Sequence, residues 1–277
     1  MTLKSRISVF VALALVFAAY ADEVSEKGRE IFNKQRQTIV TVQIVQKVTY
    51  AASGRTSEPR ENKLDLTGTV IDPSGLAVLA LSASDPSEMF RRMYPDAKVE
   101  VEVSDVKILL DDGTEVPAEI VLRDKDLDLA FIRPKTKRTS PMPAVDLAKS
   151  SPAQVLDSVI TLNRLGRAAG RAYAASFERV TAVVQKPRTF YIPDSTMTAT
   201  ALGSPVFALD GNIVGIMVMR AISSGGAGAG NSRQDNATSI ILPAEDVLKA
   251  AKQAPEAKGD EPKKEESKAT IAEPEKK

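Results

Sequence analysis

The chain has 277 residues, 43% of them hydrophobic, and a formal net charge of +1. That is enough material for a sizeable core, with no global pull toward nucleic acid or an anionic surface. There is no Cys and no His, which excludes disulfides, thiolate zinc sites and both Ser-His-Asp and Cys-His catalysis.

At the N-terminus, Lys4 and Arg6 precede an apolar run from Ile7 to Ala19, and Ala19-Tyr20-Ala21 supplies a small-x-small cleavage pattern. Residues 1–21 therefore read as a secretory signal peptide cleaved after Ala21. The run is shorter than the roughly 20 residues a membrane span needs, so no stable membrane insertion is expected after cleavage. A cysteine-free exported chain suits a bacterial periplasm or the extracellular space.

Residues 22–37 are charged, with Val24, Ile31 and Phe32 spaced as on an amphipathic helix. Thr38–Tyr50 alternates, placing Val40, Val42, Ile44 and Val48 on one face of a strand. The polar stretch Ala51–Lys63 reads as a loop. Leu64–Ile71 and Leu76–Leu81 read as strands around a turn at Asp72-Pro73-Ser74-Gly75. The insertion 85–98, with Met89-Phe90 and Met93-Tyr94, reads as a loop that packs its own side chains.

Val99–Leu110 and Glu115–Leu122 form a second hairpin about Asp111-Asp112-Gly113, with too few nearby oxygens for calcium. Leu127–Ile132 is a further strand, and Arg133–Ser140 reads as a linker between two halves. Beyond it, Val155–Leu162, Tyr173–Gln185, Thr189–Ile192, Pro205–Leu209, Asn212–Ala221 and Thr238–Leu242 are candidate strands. Arg164, Arg167 and Arg171 cluster between the first two. Without interleaved aromatics they read as a solvated face, and no nucleic acid is expected as partner. The glycine-rich Ser223–Gly230 lacks the context of a phosphate cradle and reads as a loop. Pro243–Lys252 has the pattern of a closing helix, and 253–277 is a Lys/Glu/Pro/Ala tail that should be disordered.

Many short strands with a helix at each end point to an all-β sandwich or barrel pair, which periodicity alone does not separate.

The chain is organised around Thr200–Ile216, where Asp210-Gly211 turns a hairpin between Pro205–Leu209 and Asn212–Val218. Gly203-Ser204-Pro205-Val206 and Val214-Gly215-Ile216 resemble the segment around the nucleophile in trypsin-like serine proteases of the HtrA/Deg type. On that frame the nucleophile position is Leu202. Gly68-Thr69-Val70-Ile71 and Pro73-Ser74-Gly75-Leu76-Ala77-Val78 resemble the strand pair leading to the catalytic His, and the His position is Ser82. Asp112-Gly113, Ala118-Glu119-Ile120, Asp124 and Asp128-Leu129-Ala130-Phe131 resemble the stretch that carries the triad Asp, which matches Asp128. Asp194 falls on an Asp of the family's substrate-side run, and Thr238–Lys252 resembles its closing strand and helix.

The resemblance spans about Thr67 to Lys252 and is to a member without the PDZ domain that many relatives carry. It implies two antiparallel six-stranded barrels, here 38–135 and 136–252, with a cleft between them. In the active family the His takes the Ser proton, the Asp holds the imidazole, and backbone N–H groups stabilise the oxyanion. With Ser82, Asp128 and Leu202 in those places, no catalytic residue set is intact. The expected function is a non-catalytic peptide- or protein-binding or structural module, with a peptide or protein partner in the inter-barrel cleft and no cofactor or metal. The family's binding mode, β-augmentation, points to Gly215, Ile216, Met217 and Val218 as the peptide-binding edge. The alternative is a serine-type endopeptidase with rewired chemistry that uses Ser204 as nucleophile.

Overall fold

The computed structural model describes residues 23–52, 55–87, 97–194, 201–221 and 237–256. The expected signal peptide, most of the 85–98 insertion, the glycine-rich loop and the tail beyond 256 lie outside the described residues. The N-terminal half folds as β1 (Ile39–Ala52), β2 (Arg55–Thr56), β3 (Arg60–Val70), β4 (Ala77–Ala80), a helical turn α2 (Leu81–Ser84), β5 (Ala97–Leu109), β6 (Glu115–Asp124) and β7 (Leu129–Pro134). Helix α1 precedes them over residues 23–35. The second half contributes β8 (Ser158–Arg164), β9 (Tyr173–Val184), β10 (Phe190–Pro193), β11 (Pro205–Ala208), β12 (Ile213–Ala221), β13 (Ala237–Pro243) and the closing helix α3 (Ala244–Ala251).

The first set runs β1-β3-β4-β7-β6-β5 and closes through β1–β5, with β2 appended outside β1. The second is a closed barrel in the order β10-β13-β12-β11-β8-β9. Two antiparallel six-stranded barrels are thus the architecture, with short helices at either end. Closure removes the free sheet edges that an open sandwich would leave.

Burial explains the apolar patterning. In β4 and β7, Ala77, Leu79, Ala130 and Ile132 enter the N-terminal barrel's core. Their alternates Val78, Ala80, Leu129 and Phe131 join a second cluster with Ile160, Leu162, Phe207, Ile216 and Val218 of the other barrel. These strands are buried on both faces, so they read as continuous apolar runs. Each such Val, Leu, Ile or Phe side chain contributes about 1.5–3 kcal/mol by leaving water, and the shared cluster fixes how the barrels meet. The C-terminal barrel fills its own interior with Val159, Val180, Tyr191, Val206, Met217 and Ile241.

Three local expectations are corrected. Ala51–Lys63 is not simply a loop: Arg60–Lys63 pair with Val45–Val48, so β3 begins at Arg60. The side chains of 60–63 are exposed, and pairing to β1 overrides their low strand preference. Val155 and Leu156 lie outside β8, in a turn where the Leu156 amide donates to the Val180 carbonyl at 2.7 Å and φ is 73°. The Arg164, Arg167 and Arg171 cluster is not a solvated face. Arg167 and Arg171 both bond Asp65 of β3, at 3.0 and 2.7 Å, and Arg164 bonds Asp111 at 2.6 Å. Tyr173 also donates its hydroxyl to Asp111, while Arg164 stacks 4.2 Å above its ring. The cluster therefore ties one barrel to the other.

Candidate functional site

The chain leaves β4 at Ala80 and turns once through Leu81–Ser84. That turn is held by Asp128, which sits just before β7 with φ 58°, a left-handed conformation that Asp tolerates better than most residues. The Leu81 amide donates to the Asp128 carbonyl at 2.9 Å, and the Ser82 amide donates to Oδ1 at 2.7 Å. The Ser82 hydroxyl donates to Oδ2 at 2.8 Å. From the other barrel, the Met219 amide of β12 donates to the same Oδ2 at 2.8 Å. Asp128 is a bridge whose carboxylate accepts from both barrels.

The Leu202 turn is pinned beside it. The Gly203 amide donates to the Met217 carbonyl at 2.8 Å, and the Met217 amide returns a bond to the Ser204 carbonyl at 2.9 Å. The Thr69 hydroxyl of β3 donates to the Gly203 carbonyl at 2.7 Å. A Cβ on Gly203 would stand 2.3 Å from the Thr67 carbonyl oxygen and 3.4 Å from the Ala80 nitrogen, two residues before Ser82. Only glycine fits so close an approach at φ 87°. Ser82, Asp128 and the Leu202 turn are therefore brought to one seam between the barrels.

Leu202 is 7% exposed and belongs to the apolar cluster shared by both barrels. Ser204 is fully buried, and its hydroxyl has no hydrogen-bond partner. Asp194 accepts the Arg179 amide at 2.9 Å and returns its own amide to the Arg179 carbonyl, so it closes a loop onto β9. Among the described residues no group of three or more His, Cys, Asp or Glu gathers as a metal site.

The trypsin-like peptidase domain matches residues 66–216, more than half of the chain. The chain belongs to that family. No curated protein matches the sequence significantly. The matched span runs from β3 to β12 and so contains all three positions at the seam. In this trypsin-like chain a serine hydroxyl faces the carboxylate, and no imidazole exists anywhere to accept a proton.

The expected peptide-binding edge needs correction. Gly215 and Ile216 pair with Val206 and Pro205 on one side and with Pro243 and Leu242 on the other. Met217 exchanges both backbone bonds with the Gly203–Ser204 turn, and Val218 pairs with Ile240. A Cβ on Gly215 would lie 1.9 Å from the Leu242 carbonyl oxygen, which shows how tightly this stretch is enclosed. Backbone groups alternate in direction along a strand, so those of Met219 and Ala221 face the same side as Met217. The Met219 amide reaches Asp128 there. The rim of β12 not paired to β11 therefore begins at Met219. Sequence spacing located the strand, but the continuation of β11 by the Gly203–Ser204 turn covered its first half.

Proposed function

We propose that this chain is an exported, non-catalytic trypsin-like peptidase homologue of the HtrA type that binds an extended peptide or protein segment. The observation that carries the reading is that Leu202, which the HtrA-type resemblance puts at the nucleophile position, is an apolar side chain packed into the inter-barrel cluster. A leucine cannot attack a carbonyl. The Ser82 hydroxyl, committed to Asp128, offers no proton acceptor near neutral pH. Ser204 is a poor substitute because it is fully buried and because a scissile carbonyl must reach within about 3 Å of a nucleophile. Binding by strand addition would use the rim of β12 from Met219 to Ala221, where backbone groups supply affinity without chemistry. The basic residues, apolar run and Ala19-Tyr20-Ala21 pattern of 1–21 support export.

The test uses purified protein, fluorescently labelled casein as a generic extended chain, and a serine-directed fluorophosphonate. Casein bound but uncleaved, no fluorophosphonate label, and weaker casein binding in Ala221→Pro are the expected results. Cleavage or labelling that Ser204→Ala abolishes would overturn the reading in favour of a rewired endopeptidase.

A further inference from the structure

The C-terminal barrel encloses a carboxyl group that has no basic partner among the described residues. Glu178 on β9 is 6% exposed. Its Oε1 accepts the Ser176 hydroxyl at 3.0 Å, but its Oε2 is buried without a partner. No basic side chain pairs with it among the described residues. Two more oxygens nearby share this state: the hydroxyls of Thr161 on β8, 1% exposed, and Ser204, fully buried.

The register puts all three on one face. Val159 lies opposite Glu178 and Thr161 opposite Ser176, while Val206 lies opposite Thr161 on the other side. Glu178 and Ser204 are therefore the diagonal neighbours of Thr161 across β9, β8 and β11, within reach of side chains on a common face. That face carries Val159, Val180 and Val206, which pack inside the barrel. None of the three oxygens is hydrogen-bonded to another. Ser176, next along the same face of β9, is exposed, which puts the group one layer below the surface.

An ionised carboxylate taken out of water without a counter-charge is costly by several kcal/mol, and orphaned hydroxyls add to that cost. A water would satisfy the hydroxyls but leave the charge. A divalent ion would leave one positive charge unbalanced beside a single buried carboxylate. We propose that the Glu178, Thr161 and Ser204 oxygens form a binding site for a small monovalent cation, which neutralises Glu178 and bridges it to the two hydroxyls. The site stabilises the C-terminal barrel.

The full chain is melted in sodium, potassium and choline chloride at equal ionic strength. One metal chloride should raise the midpoint by a few degrees over choline, and the rise should saturate with concentration. Glu178→Gln should abolish this dependence and melt higher than the unsubstituted chain in choline, since it removes an uncompensated charge. Thr161→Val keeps the charge and serves if the glutamine variant fails to fold. It should move the saturation midpoint about tenfold higher, as expected for about 1.4 kcal/mol of lost ligation. Equal midpoints in all three salts, or a cation dependence that survives in Glu178→Gln or is unmoved in Thr161→Val, would overturn the proposal and leave a protonated Glu178 or a water-filled gap.

Discussion

The Ser82 hydroxyl donates to Asp128 Oδ2 at 2.8 Å, and the same carboxylate oxygen accepts from the Met219 amide of the opposite barrel. The carboxylate thus fastens α2 and β12 together. Asp128→Asn is expected to destabilise the protein by about 1.5–3 kcal/mol, the usual worth of a hydrogen bond to a charged group. The asparagine amide nitrogen cannot accept, so at least one donor loses its partner. Urea denaturation with an unchanged slope would measure this, and a midpoint equal to that of the unsubstituted protein would contradict the bridging role.

Leu202→Ser supplies a hydroxyl at the proposed nucleophile position but places it in the shared apolar cluster. A loss of roughly 2–4 kcal/mol is expected from the vacated volume and the buried polar group. Fluorophosphonate should still fail to label the variant, because no proton acceptor stands ready. Labelling would show that the seam retains a competent base.

Gly203 is held where a side chain has no room. Gly203→Ala would push a methyl into the Thr67 carbonyl at a positive φ. The expected cost is on the order of 3 kcal/mol or more. Thr69→Val removes only the hydroxyl bond to the Gly203 carbonyl and should cost about 1 kcal/mol. A reversal of that order in chemical denaturation would place the strain elsewhere.

Asp65 makes the clasp between the barrels sensitive to acid. Burial opposes its ionisation, yet hydrogen bonds from Arg167, Gln43 and Arg171 overcome that and hold its carboxyl far below the ordinary carboxylate range. A depressed folded-state pKa contributes stability that is present above the unfolded value near 4 and is lost as pH falls below it. Stability should therefore decline between about pH 5 and pH 2, with a shallower decline in Asp65→Asn. Identical acid profiles for the two proteins would remove Asp65 from the clasp.

Much of this protein was legible in the chain itself because the relevant signals are local. Asp210-Gly211 and Asp72-Pro73-Ser74-Gly75 fixed two turns: Gly211 and Gly75 take φ of 84° and 95° there, and the Gly75 amide bonds back to Asp72 at 2.9 Å. Alternation in β1 and continuous apolar runs in β4 and β12 marked strands, and the lack of any histidine settled what chemistry was ruled out. Tertiary structure decided the rest, because it depends on what one segment meets far away. That Arg164, Arg167 and Arg171 grip Asp65 and Asp111, that Met219 rather than Val218 opens the rim of β12, and that Glu178 is buried on the same barrel face as Thr161 follow from barrel closure and docking. Periodicity tells a residue which side of its own strand it occupies. Only the packing of two closed barrels tells it whether that side is solvent, partner or core.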